Sequence, residues 1–155
     1  MATQWTAGLS DGTPLPAATL NTIGAAWQDW TPVVKQGTTT FGVTVQYGKY
    51  CQIQKTIIAS CGLVIASGTG QAGSNVSVDL PTGLPMTNTN RVLGAAWIYD
   101  ASANTSYGAF ASVAGTTSFV FIGDWAAGGS WGGSPNIQMT TNDQIRLTIT
   151  YETTA

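Results

Sequence analysis

Residues 144–152 read QIRLTITYE, and their alternation decides the class of the fold. Ile145, Leu147, Ile149 and Tyr151 fall on one parity, and Gln144, Arg146, Thr148 and Thr150 on the other. That period of two is the mark of a strand with one face in a core and one in water. Thr141-Asn142-Asp143 just before it is turn chemistry. Working back along the chain, the same period recurs at 33–35, 41–53, 56–66, 75–80, 91–100, 106–114 and 117–122. Clusters of Gly, Ser, Asn and Pro punctuate these stretches. Eight strands without a second helix predict an all-β chain, a jelly-roll-like β-sandwich of about eight antiparallel strands. A Greek-key immunoglobulin-like sandwich is the alternative arrangement. No repeat of fixed period appears, which argues against a propeller or a solenoid.

The N-terminal stretch has a different rhythm. Residues 1–12 look irregular, with Trp5 as the one bulky anchor, and Thr13-Pro14-Leu15-Pro16 suits the first turn of a helix, where proline is tolerated. From Ala17 to about Asp29, Leu20, Ile23 and Trp27 recur at helical spacing. A helix this short is marginal alone in water and needs something to dock on. The expected organisation is an arm over residues 1–30 and a β-sandwich over 31–155. Trp5, Leu20, Ile23, Trp27 and Trp30 are the candidate assembly anchors of the arm, since tryptophan is enriched at interface centres. A chain lacking residues 1–30 would then keep a folded β-domain.

Composition narrows the function classes. At 155 residues the chain suits one domain. Only 8% of residues are charged, against about 25% in a typical soluble protein, so the polar surface must come from Thr, Ser, Asn, Gln and Gly. Such a surface is a weak barrier to self-association. The five basic residues are scattered, with no stripe of the kind that neutralises nucleic-acid phosphates. No apolar run reaches membrane-spanning length, and the start carries no basic and apolar export pattern. Neither nucleic acid nor membrane is expected as a partner.

The catalytic inventory is thin. The chain contains no histidine, which removes the commonest general base and metal ligand. Zinc held by cysteine alone would need about four thiolates, and the chain has two. Asp79, Asp100, Asp124, Asp143 and Glu152 lie at or beside strand ends, where carboxylates serve local backbone. No catalytic residue, cofactor or metal is therefore expected. Cys51 and Cys61 share a parity across a turn near Gln54-Lys55. In a tight hairpin Cys61 would face Lys49 with Cys51 as its diagonal neighbour, about 7–8 Å away and too far for a relaxed disulfide. Two buried free thiols are the expected outcome. The Gly-rich stretch 123–135 holds Asp124, Trp125 and Trp131, a candidate contact for a glycan or a protein partner.

Three segments carry a resemblance. AATLNTIGAAWQDWTPVVKQG, VTVQYGKYCQIQKTIIASCGLVIASGTG and VSVDLPTGLP occur in that order. They resemble a module of tailed-bacteriophage virion proteins, in which a short "LTAAxLN"-like helix leads to a W-x-x-[WY]-T-P motif, a "YxKYxxIGK" hairpin and a strand ending in "SLP". The matching residues are 17–21, Trp27, Trp30-Thr31-Pro32, Tyr47, Lys49-Tyr50, Ile53 and Asp79-Leu80-Pro81. Gln54 departs from the pattern, standing where the hairpin usually has glycine. The closing NDQIRLTITYE is similar to the last strand of trimeric jelly rolls of the complement and tumour-necrosis-factor type.

The resemblance implies a non-enzymatic structural protein of the virion, assembled in the host cytoplasm. Its expected form is a homotrimeric capsid decoration or cement protein, anchored through the arm to the major capsid protein or another virion protein. The alternative is a minor tail or tail-tip protein that binds host-surface glycan through Asp124, Trp125 and Trp131.

Overall fold

A computed structural model describes residues 26–87, 93–112, 119–124 and 137–153, with backbone only at 119–121 and 124. All its regular elements are strands: β1 (Gln28–Asp29), β2 (Val34–Gln36), β3 (Thr39–Thr40), β4 (Gly42–Ile53), β5 (Thr56–Ser67), β6 (Val76–Asp79), β7 (Gly94–Asp100), β8 (Thr105–Ser112), β9 (Phe119–Asp124) and β10 (Gln144–Glu152). The eight longer ones fall where the period of two places them. β1 and β3, two residues each, are too short to show any period.

Hydrogen bonding links the strands in the order β1-β4-β5-β10-β7-β8-β9-β6-β2-β3, antiparallel throughout. The sheet turns over on itself, so that β6, β2 and β3 cover the layer formed by the other seven. Val34, Val76 and Val78 of the smaller layer join Ile57, Leu63, Ile65, Ile98, Ile145 and Leu147 of the larger one in a single buried cluster. This is the expected jelly-roll-like β-sandwich. β10 lies at its centre, paired with β5 on one side and β7 on the other. Ile145, Leu147, Ile149 and Tyr151 all point inward and are at most 4% exposed. Each such side chain contributes about 1.5–3 kcal/mol of burial, an upper estimate because a real unfolded chain is already partly collapsed.

The β4–β5 hairpin corrects one expectation. Its turn is Gln54-Lys55, closed by the pair Ile53–Thr56, and Gln54 adopts φ 55°. Gln54 thus takes the left-handed conformation glycine favours, at a cost of order 1 kcal/mol for another residue. The resulting register sets Cys61 opposite Gly48, not Lys49, and Cys51 opposite Ile58. Directly opposed residues share a face, so Cys51 and Cys61 lie on opposite faces of the sheet. A register shift between Val45 and Tyr47 inserts Gln46 as a bulge, so that Val43 and Val45 face the core while Tyr47, Cys51 and Ile53 face outward. Both thiols are buried and free, as expected, but because a sheet separates them and not because a diagonal does.

Burial pushes the Cys61 thiol up to about 12. The thiolate is the reactive form, so Cys61 should resist iodoacetamide in the native protein and alkylate only on unfolding. Peptide mass spectrometry after native and denaturing labelling checks this. Native-state oxidation should also yield no Cys51–Cys61 cross-link.

Candidate functional site

The arm meets the domain earlier than residue 31. Gln28–Asp29 pairs with Tyr50 and Lys49 at the outer edge of β4, so residues 28–29 are strand and the expected helix does not extend to Asp29. Tyr50 donates its hydroxyl to Gln28 Oε1 at 2.6 Å, and the Lys49 ammonium pairs with Asp29 on the opposite face. The chain then dives inward. Trp30 N–H donates to Gly48 O at 2.9 Å, and the Trp30 ring is 6% exposed within the core cluster. Trp30 is therefore an internal anchor of its own domain and not an assembly contact. Its indole fills space under the edge of the sheet, which the helical spacing of the arm concealed.

Trp27 behaves differently. One residue before Gln28, it lies on the Asp29 side of β1, and continuing the register by one sets it across from Cys51. It is 56% exposed, and Ile53 (42%) and Tyr47 (41%) share that outer face of β4. The root of the arm is thus an apolar strip broken only by the Lys49–Asp29 ion pair. Trp5, Leu20 and Ile23 lie outside the described residues.

Of the second candidate set, the structure describes Asp124 as backbone only, ending β9 opposite Ala109 of β8. Trp125 and Trp131 lie outside the described residues. The chain returns at Ile137, and there Gln36 acts as a buried clip. Its side chain is fully buried; Nε2 donates to Ser74 O at 3.0 Å and to Ile137 O at 2.7 Å, while Oε1 accepts from Met139 N–H at 2.9 Å. Gly70 N–H donates to Met139 O beside it, and Gln138 Nε2 donates back to Gly70 O. A Cβ at Gly70 would sit 1.9 Å from Gln36 Oε1, so glycine is required for the close approach. Sequence reading passed over Gln36, because a glutamine before glycine looks like ordinary turn material.

Asp143, Asp100 and Asp79 are occupied locally. Asp143 accepts N–H groups from Ala101 (2.8 Å) and Thr140 (2.7 Å), and Asp100 accepts from Ser102 Oγ and Ala103 N–H. Burial pushes the Asp143 carboxyl up, the Thr140 and Ala101 donors draw it back, and neighbouring Asp100 adds to the rise. Both are turn-fixing groups. Asp79 pairs with Lys35 at 3.4 Å in a cleft of about 320 Å³ walled by Thr31, Val33, Leu80 and Pro81. Among the described residues no three Cys, Asp or Glu side chains gather as a metal site, and no helix is long and apolar enough to cross a membrane.

The outer face of the larger layer carries a second feature. Register aligns Tyr47, Gly62, Arg146, Trp97 and Gly108 in one row across β4, β5, β10, β7 and β8. Tyr47 lies over Gly62, where a Cβ would meet its ring at 2.4 Å. The Arg146 guanidinium lies over Trp97, 5.4 Å from the ring centre, and the Tyr99 ring is parallel to Trp97 (7°) with centres 6.1 Å apart. That separation is too long for a closed face-to-face stack, so the two rings are offset neighbours along β7. Tyr99 is fixed by its hydroxyl, which donates to Asn104 Oδ1 at 2.8 Å.

No protein-family model, curated protein or solved structure matches this chain.

Proposed function

We propose that the protein is a non-enzymatic structural subunit of a tailed-bacteriophage virion, a homotrimeric decoration or cement protein that joins the particle through its N-terminal arm. The observation that carries this reading is the apolar strip at the root of the arm. A protein with so few charges leaves Trp27, Ile53 and Tyr47 uncovered together on one face, and an assembly interface is the ordinary way such a strip is removed from water. The arm joins the domain at Trp27, within this strip, so a partner held by the arm root is brought against it. The resemblance of residues 17–37, 43–70 and 76–85 to the virion module supports the same reading.

Because β1 and Trp30 belong to the sandwich, the informative truncation removes residues 1–25 and not 1–30. The shortened chain should keep the unfolding transition of the full protein and lose incorporation into particles, while Trp27→Asp in the full chain should weaken incorporation at least tenfold. Sedimentation velocity and co-purification with particles read both effects. Normal incorporation of the truncated chain would sink the proposal.

A further inference from the structure

We infer that the outer face of β7 and β8 is a binding trough for an anionic polysaccharide, with sugar rings laid on Trp97 and Tyr99 and an acidic substituent held by Arg146. The wall of the trough is aromatic and the floor is small. Trp97 is directly opposite Gly108, and Tyr99 is opposite Ser106. Among the described residues a Cβ at Gly108 would meet nothing within 4 Å, so no described group fills the space beside the Trp97 ring on the β8 side. On the other side, toward β10, the Arg146 guanidinium lies over the Trp97 ring, 5.4 Å from its centre. The apolar C–H face of a pyranose stacks on such a ring, and two adjacent rings give footholds to successive sugar units.

The surroundings suit a saccharide better than a protein. Gln144 and Ser106 share the Tyr99 row, Asn104 in the adjoining turn bonds the Tyr99 hydroxyl, and Ser60 and Thr148 lie in the next row beyond Arg146; all offer uncharged donors and acceptors to hydroxyl groups. Ser60 and Thr148 already bond each other at 3.1 Å, which leaves each with further hydrogen-bonding capacity. Arg146 is the one cation in the row, and among the described residues no carboxylate pairs with it. A stacked guanidinium is rigid and ready for bidentate recognition of a carboxylate or a phosphate. Single-stranded nucleic acid also stacks on aromatic side chains, but it needs a groove of several cations, and here there is one. Tyr47 begins the row that holds Arg146 and Trp97 and also belongs to the strip at the arm root, but Trp97, Tyr99 and Gly108 lie strands away from that strip, and this inference does not depend on the virion reading.

Titration calorimetry on the full chain tests it with four probes: a hexagalacturonate, a 6-phosphorylated galactohexaose, a neutral galactohexaose and an oligothymidylate. At least one acidic glycan should bind saturably, and about tenfold more tightly than the neutral one, the size of effect expected from one charge-assisted contact. Which acidic glycan binds identifies a carboxylate or a phosphate as the group recognised. Arg146→Gln should erase the preference for acid, and Trp97→Ala should abolish binding. The cleanest variant is Gly108→Val, which has room for its side chain and fills the trough; it should fold with an unchanged or higher Tm and bind none of the probes. No binding by any glycan, binding unaffected by Gly108→Val, or tighter binding of oligothymidylate would each overturn the inference. So would a Gly108→Val protein that dissociates into smaller oligomers while no glycan binds, since the face would then belong to a second copy of the chain.

Discussion

Replacing Gln36 with leucine is expected to lower the unfolding free energy by about 3–5 kcal/mol, a large share of the roughly 5–15 kcal/mol available to a domain. Leucine has nearly the same volume, so packing loss is small. The cost comes from what the amide leaves behind: Met139 N–H without an acceptor, and the carbonyls of Ser74 and Ile137 without their donor. Each buried group stranded in this way costs about 1–3 kcal/mol, and the three are close enough that their costs do not simply add. Urea unfolding would read the total. Hydrogen exchange would read its distribution, with protection lost first at Met139 and Gly70. Gln36→Glu sharpens the test. The introduced carboxylate would face two carbonyl oxygens at neutral pH, and its buried charge would raise its own pKa. A group whose folded pKa is raised binds its proton more tightly in the folded state, so the variant should gain stability as pH falls and lose it as pH rises. Equal stability of wild type and Gln36→Leu would remove the clip from any account of how the two loops are held.

The second large effect is expected at Gly48. A Cβ there would lie 2.0 Å from Trp30 O, a backbone atom that cannot swing aside as a side chain can. The β4–β5 pairing is long and central, whereas residues 26–30 are held by two paired residues, one further backbone bond and one indole. Gly48→Ala should therefore release the arm root and leave the hairpin intact. Its cost is bounded by the loss of Trp30 burial, about 3–5 kcal/mol on the scale of large aromatic deletions. Tryptophan emission should shift to the red as the indole enters water. The diagnostic is non-additivity: Gly48→Ala combined with Trp30→Ala should cost no more than Trp30→Ala alone, because both remove the same docking. Additive costs would mean that the alanine damages the sheet itself.

The alternation in 144–152 was legible because a strand with one face buried must repeat every two residues, and the same rule found every strand longer than two. It failed at Gln46. A bulge is one residue inserted into an otherwise regular pattern, without a composition of its own, and it carried the parity of Val43 and Val45 across to the wrong face of Cys51 and Ile53. Trp30 was misplaced for a related reason. A tryptophan in an arm without a core of its own suits an interface anchor, and only the contact with Gly48, distant in sequence, shows that Trp30 is buried in its own domain. The row of Tyr47, Arg146 and Trp97 was not legible at all, because it joins residues from separate strands whose order no local pattern encodes. Gln54 in the β4–β5 turn adopts the left-handed conformation that glycine favours, which no local composition signals.

The central position of β10 has a consequence for how the molecule comes into being. Both inner partners, β5 and β7, are made before it, and each waits with one edge open until residues 144–152 emerge. No nascent chain that stops short of Gln144 holds a continuous sheet, so the ribosome cannot hand the fold over piece by piece. The β4–β5 hairpin can form early because its contacts are local, but the sandwich can close only once this late strand is free of the exit tunnel. Until then the open edges are exposed to other nascent copies, which makes the interval before β10 pairs the point at which correct folding competes with aggregation.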